Sequence, residues 1–191
     1  MLYTGKGDGG TTKLFNTPVG ERLSKSANIF EALGTIDELN SFLGIVKVLC
    51  TQTGYAVNAQ SFESIIHNVQ ENLFIIQAEL AGSAMSITES TIHEVEGLIT
   101  NIETNLPPIK TFFISGGTLL GAHFDTARTI ARRAERRVVA VHEAGSQGQS
   151  LRKNKVSEQT LKYLNRLSSL FYALARYSNH LVGIDEKPPS Y

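Results

Sequence analysis

Twenty-seven residues, Ser115 to Val141, constrain this chain more than any other stretch: SGGTLLGAHFDTARTIARRAERRVVAV. No proline interrupts them, and Ala127, Ile130, Ala131, Ala134, Val138 and Val141 recur at helical spacing, one apolar stripe at about 100° per residue. A helix with one apolar stripe must bury it against other helices, so the remaining chain has to supply them. Beside the stripe the sequence is strongly basic. Arg128, Arg132, Arg133, Arg136 and Arg137 fall within ten residues, with Glu135 as the one acid among them. Arg128, Arg132, Glu135 and Arg136 share a second face, whereas Arg133 and Arg137 point elsewhere. A solvated charged face is the ordinary reading of such a pattern. The choice of Arg at every position favours another, because the planar guanidinium makes the paired contacts that phosphates and carboxylates offer.

The partners are legible as four more amphipathic segments. Asn28 to Cys50 carries Ile29, Phe30, Leu33, Ile36, Leu39, Phe42, Leu43 and Val46 at helical spacing, with Asp37 and Glu38 in its middle. Residues 51–60 read as a linker. Ser61 to Ala81 carries Ile65, Ile66, Val69, Leu73, Ile76 and Leu80 and stops at Gly82. A third helix is expected to begin at Thr91, by the capping box Thr91-x-x-Glu94, and to be ended by Pro107-Pro108. The arginine helix is expected over Thr118 to Ala144, stopped by Gly145. After a polar loop, GSQGQSLRKNK, Ser157 caps a fifth helix bearing Leu161, Leu164, Leu167, Leu170, Phe171 and Leu174 and ending near Gly183. The tail, DEKPPSY, is expected to be poorly ordered. With no convincing strand pair, the pattern predicts an all-α fold, a five-helix up-and-down bundle in a single domain over 1–191: a Gly-rich segment 1–26, the bundle 27–183 and a tail 184–191.

The totals exclude several classes. Formal net charge is zero, so any electropositive site is local rather than a general nucleic-acid surface. The lone cysteine, Cys50, allows no intrachain disulfide and fits a reducing, cytoplasmic setting. No apolar run is long enough for a membrane span, and no basic segment followed by an apolar run marks a signal peptide.

Residues 1–26 hold five of the sixteen glycines. Gly5-x-Gly7-x-x-Gly10 matches a dinucleotide fingerprint in letters only, since that motif needs a preceding strand, and Thr11 stands where a phosphate-binding P-loop requires Lys. What remains is a loop whose backbone N–H groups, with Thr11, Thr12 and Lys13, can wrap an anion, against the alternative of a mobile terminus. Elsewhere there is no HExxH, no paired-cysteine metal site and no Gly-x-Ser-x-Gly elbow. The five histidines are dispersed, and no nucleophile–base pair stands out. A reaction on this chain needs substrates that bring their own reactivity, positioned and polarised by the protein.

Four blocks, in order along nearly the whole chain, are similar to the PduO-type ATP:corrinoid adenosyltransferases. They are Tyr3-Thr4-Gly5-Lys6-Gly7-Asp8-Gly9-Gly10-Thr11-Thr12; Phe30 through Asp37-Glu38-Leu39-Asn40-Ser41; Gly116-Gly117-Thr118 with Ala127-Arg128-Thr129 and Arg132-Arg133-Ala134-Glu135-Arg136; and Leu164-Asn165-Arg166-Leu167-Ser168 with Ala175-Arg176-Tyr177. The resemblance implies a five-helix bundle assembling as a homotrimer with active sites at subunit interfaces. It implies transfer of the 5′-deoxyadenosyl group of ATP, with Mg2+ as its companion, to the cobalt of a reduced corrinoid (cob(I)alamin), giving adenosylcobalamin and triphosphate. A nucleotide- or corrinoid-binding chaperone or sensor on the same bundle is the alternative. A reductase or B12-dependent enzyme is the partner such chemistry would call for, and the sequence does not choose between cobalamin and an incomplete corrinoid.

Carried over by position, Thr4, Gly5, Lys6, Gly7, Asp8, Thr12 and Lys13 resemble the segment that folds over the triphosphate, and Lys25 a further ATP-contacting lysine. Arg132, Arg133, Ala134, Glu135 and Arg136 match the ATP-contacting helix segment, and Asn165 a nucleotide-contacting Asn. Asp37 and Arg128 resemble an ion pair between subunits, and Phe112 an aromatic wedge beside the corrinoid. No metal-ligand set of the protein's own is implied. Three positions depart from the family pattern: Ser169 where Asp is usual, Ser115 where Pro is common, and Gly5 where a basic residue often follows Thr4.

Overall fold

The computed structural model describes residues 2–146 and 156–190. Five helices carry the fold: α1 (Asn28–Thr53), α2 (Phe62–Leu80), α3 (Glu89–Glu103), α4 (Leu119–Ser146) and α5 (Glu158–His180). α4 packs against α1 and α5, α2 against α1, and α3 against α5, with side chains of α2 also reaching α4 and α5. The arginine helix is therefore the middle of the bundle. Ala127, Ala131, Ala134 and Val138 of its stripe are fully buried, and Ile130 and Val141 nearly so. Three alanines on that stripe let α4 approach its neighbours closely, while the bulk comes from Ile36, Leu39 and Leu43 of α1 and Leu164, Leu167 and Phe171 of α5.

The expected all-α bundle is the observed one, with corrections at its edges. Two short antiparallel pairs exist that the pattern does not announce: β1 (Thr11–Thr12) with β2 (Leu23–Ser24), and β3 (Ala56–Val57) with β4 (Gln60–Ser61). Both are two residues long, below the length at which alternation can be read. Residues 2–26 thus form a folded-back loop, and 51–60 holds a helix end and a tight hairpin rather than a plain linker.

α3 begins earlier than the Thr91 capping box implies. Thr88 is the N-cap, its hydroxyl accepting from Thr91 N–H at 3.2 Å. Ile87 before the cap and Ile92 after it are both buried, the apolar pair that fixes a helix entry angle and outweighs the Glu94 signal. The helix ends at Glu103, before the prolines. α4 runs past Gly145 to Ser146. The polar loop expected after it lies mostly outside the described residues.

α5 starts at its expected cap: Ser157 Oγ accepts from Thr160 N–H at 3.2 Å. That end is also tied to α2, whose Glu79 carboxylate accepts from Ser157 N–H at 2.7 Å and from the Thr160 hydroxyl at 2.5 Å. The tail is not loose. Glu186 meets Arg176 at 2.7 Å, and the Lys187 carbonyl accepts from Ile114 N–H at 2.9 Å.

Candidate functional site

The apolar stripe of α4 fixes where its arginines go. Arg133 pairs with Glu38 and Arg137 approaches Glu31 at 3.9 Å, both acids on α1. These are the two arginines whose helical phase separates them from the others. Arg132 and Arg136 turn the opposite way, toward α5, and neither has a carboxylate partner among the described residues. Arg136 donates instead to the Arg132 carbonyl at 3.1 Å. Together with Glu135, Val139, Ala140, Glu143 and Asn165 they line a cavity of about 330 Å³. Asn165 is held there at both ends: its NH2 donates to Glu135 at 2.8 Å, and its carbonyl oxygen accepts from Arg166 at 2.9 Å. Ala134, one residue from this face, is fully buried in the core.

A second, larger cleft of about 760 Å³ adjoins the first, lined among others by Phe112, Phe113, Arg128, Ser168, Ser169 and Tyr172. Arg132 lines both. Phe112 is 80% exposed and stands at the cleft as an unpacked aromatic face. Phe113 is half-buried and Ile114 is exposed. Arg128 lies 3.4 Å from Asp125 and places its guanidinium 6.0 Å from the centre of the Tyr172 ring. Burial raises the Tyr172 pKa and the nearby Arg176 opposes that rise, so the phenol stays protonated at neutral pH.

The floor between Phe112 and α4 is the Gly116-Gly117 turn, and two residues that sequence reasoning missed hold it. Asn179 of α5 accepts from Thr118 N–H at 2.9 Å and donates to the Gly116 carbonyl at 2.9 Å. Asp125 accepts from Gly116 N–H at 3.2 Å. Gly117 has φ +102°, and a Cβ there would stand 2.5 Å from Asn179, so both space and backbone require glycine. The signal in the sequence was the Gly-Gly pair; nothing local pointed to a residue 62 positions downstream of it.

The N-terminal loop closes on itself by turns from Asp8 N–H to Gly5 and from Gly10 N–H to Gly7, each 3.2 Å. Arg22, also missed, clasps it: Nε donates to Thr11 Oγ1 at 2.7 Å, and Nη2 to the carbonyls of Lys6 and Thr11. Lys25 N–H donates to the Gly10 carbonyl at 2.9 Å, and its ammonium lies beside Gly7, 3.0 Å from where a Cβ would be. The loop thus gathers Lys6, Gly7 and Lys25. Thr4, Gly5, Lys6, Asp8 and Lys13 are exposed, and Thr12 is half-buried. The loop is tethered to the end of α2, Asn16 N–H to the Ala81 carbonyl at 3.4 Å.

Asp37 is exposed on α1, on the face that also displays Ile45 and Val48. Within the chain Arg128 has Asp125 as its acid. Among the described residues no group of three or more His, Cys, Asp or Glu is placed to hold a metal ion.

The sequence model for cobalamin adenosyltransferase matches residues 2–178. The chain is 36% identical over 190 residues to the corrinoid adenosyltransferase of Bacillus subtilis, covering 97% of this chain and 90% of that protein. It is 36% identical over 186 residues to the corrinoid adenosyltransferase PduO of Citrobacter freundii, covering 94% of this chain and 50% of that longer protein. The fold superposes, with TM-score 0.83 and 29% identity over the whole of both chains, on an F112A variant of the PduO-type ATP:corrinoid adenosyltransferase of Lactobacillus reuteri complexed with cobalamin and ATP. An R132K variant from the same organism, complexed with ATP, gives TM-score 0.80 at 30% identity, covering 99% of this chain and all of that one.

Proposed function

Because the chain belongs to the cobalamin adenosyltransferase family, we propose that its two adjoining cavities divide the two substrates, ATP phosphates against Arg132, Arg136 and Asn165, and the corrinoid against Phe112. The reaction transfers the 5′-deoxyadenosyl group of ATP to the cobalt of a reduced corrinoid. The Co(I) electron pair attacks C5′; the Co–C5′ bond forms, the C5′–O bond breaks, and its electrons leave with triphosphate. Cobalt is the nucleophile, so this chemistry needs no nucleophile–base pair from the protein.

The observation that carries the assignment is Arg132, which lines both cavities. A guanidinium there meets the group on which negative charge accumulates as C5′–O breaks, in a position fixed before the reaction begins. Arg136 and the Asn165 amide share the same cavity. Glu135 orients Asn165, and Arg133, engaged with Glu38, orients the helix rather than the nucleotide in this reading. Thr4, Gly5, Lys6, Gly7, Asp8, Thr12, Lys13 and Lys25 supply the cover over the triphosphate. Mg2+ enters with ATP, held mainly by phosphate oxygens and water, as that ion usually is.

In this reading the protein is a homotrimer in which one subunit's loop closes over its neighbour's arginines, with Asp37, exposed on α1, meeting Arg128 across the interface. No helix among the described residues is long and apolar enough to cross a membrane; the cytoplasm remains the compartment of this reading, with a separate reductase supplying Co(I).

The deciding experiment incubates the protein with ATP and chemically reduced cobalamin and follows the visible spectrum. Conversion to adenosylcobalamin with release of triphosphate is the expected result. Ligand binding without conversion would make the chain a carrier or sensor instead.

A further inference from the structure

The segment from Pro107 to Gly117 carries Phe112, yet it belongs to no helix or strand. Its first two residues are prolines, which donate no backbone hydrogen bond. Something else has to hold it, because a loop with few backbone bonds does not keep an aromatic side chain exposed in one place.

Arg176 of α5 is where the holding contacts converge. It is 5% exposed, which makes it the most deeply buried charged group among the described residues. Its Nε donates to Glu186 at 2.7 Å, its Nη2 donates to the Pro107 carbonyl at 3.2 Å, and its guanidinium lies 5.1 Å from the centre of the Phe113 ring. One residue on, Ile114 N–H donates to the carbonyl of Lys187, next to Glu186. The tail is therefore bonded to the segment directly after the Phe pair, at Ile114, and before it through Arg176, which bridges Glu186 and the Pro107 carbonyl. Phe112 and Phe113 both line the cleft; Phe113 is the one held against Arg176, and Phe112, its neighbour in the chain, is carried exposed beside it.

We propose that Arg176 and Glu186 form a clamp through which the C-terminal tail positions Phe112 against the corrinoid. Both are positioning residues; neither touches a reacting atom. The clamp rests on the reading that the larger cleft takes the corrinoid. Without Glu186 the Arg176 charge is buried and unpaired, a costly state that is relieved by letting the tail and the Pro107–Ile114 segment move apart. Phe112 then samples positions away from the cleft although no residue in the cleft has changed.

The test compares full-length Glu186→Ala and Glu186→Gln with Phe112→Ala. Without any ligand, Glu186→Ala should lower hydrogen-exchange protection at the Ile114 amide at least tenfold, and Gln, which can still accept from Arg176, should restore most of it. With ATP and cob(II)alamin, Glu186→Ala should cut the four-coordinate Co(II) signal in electron paramagnetic resonance at least threefold, with the KM for ATP within twofold of the parent. Unchanged Ile114 protection overturns the clamp. Lost protection with an undiminished four-coordinate signal overturns its role in positioning Phe112. If Phe112→Ala itself keeps that signal, the cleft reading has failed, and the Ile114 exchange still decides whether the tail holds the segment.

Discussion

The Asn165 side chain donates to the Glu135 carboxylate at 2.8 Å, joining α5 to α4 at the cavity that also holds Arg132 and Arg136. The bond leaves the second amide hydrogen of Asn165 available to a ligand, since its carbonyl oxygen is engaged by Arg166. Glu135→Ala releases one end of the amide and exposes two guanidinium groups to a cavity with less opposing charge. The loss of orientation should dominate, because the amide is the directional group. Glu135→Ala should raise the KM for ATP three- to tenfold, and Glu135→Gln, which preserves an acceptor, by less than threefold. A lower KM in Glu135→Ala would mean that charge, not orientation, is what Glu135 controls.

Much of this was legible in the sequence because the bundle is built on one period. The six stripe residues of α4 fix its rotation, and that rotation sends Arg133 and Arg137 to α1 and Arg132 and Arg136 to α5. What was not legible is made by contacts distant in sequence. Asn179 reaches back to the Gly-Gly turn, Glu79 caps a helix almost eighty residues on, and Glu186 pairs with Arg176 although the tail's composition reads as disorder. Arg22 was missed for a related reason. Its value lies in three acceptors gathered by a folded-back loop, and a two-residue ladder leaves no periodic trace.

The two-sided distribution of the arginines separates their mutants. A charge-assisted contact to phosphate contributes about 1.5–3 kcal/mol, and each 1.4 kcal/mol is about tenfold in binding. Arg132→Ala should therefore raise the ATP requirement at least tenfold or abolish turnover. Arg137→Ala removes only a half-exposed pair with Glu31 at 3.9 Å, worth at most about 1 kcal/mol of stability. Steady-state kinetics at varied ATP checks both, and equal effects would refute the facial assignment.

Cys50 gives a pH-dependent handle on the core. Burial, with a smaller contribution from the Glu63 charge, pushes its thiol from 9.0 to about 12. The unfolded thiol loses its proton near its ordinary value, while the folded one keeps it. Above about pH 9 the unfolded state therefore binds fewer protons, and stability should fall as pH rises toward 12. At pH 8 native Cys50 should react with a thiol reagent far more slowly than in denaturant. Rapid labelling of the native protein at pH 8 would show that α1 opens locally.

Asp37 is exposed on a face of α1 that also displays Ile45 and Val48, and Arg128 is only partly covered by its 3.4 Å contact with Asp125. Both charges are thus accessible to another subunit. Asp37→Ala should weaken the proposed trimer and reduce activity in parallel as protein concentration falls, with the melting temperature of the dissociated chain unchanged. Sedimentation velocity beside activity is the measurement. A variant that stays trimeric and active on dilution would leave Asp37 a solvated residue.

Phe112 carries the last prediction. An exposed phenyl ring at the mouth of a large cleft has lost the burial that would normally justify it, about 1.5–3 kcal/mol for a side chain of this size. On the proposed placement, a flat corrinoid ring docked over it would recover that burial and exclude both water and the lower axial base from the cobalt. Removing a donor ligand lowers the cobalt orbital that must accept the next electron, so Co(II) becomes easier to reduce to the nucleophilic Co(I). Phe112→Ala should therefore impair turnover most when Co(II) must be reduced on the enzyme, and much less when Co(I) is supplied ready-made. The KM for ATP should stay within about twofold, because the residue faces the second cavity and not the first. An equal loss with both cobalt states would show that Phe112 aligns the corrinoid for attack on C5′ and leaves the reduction untouched.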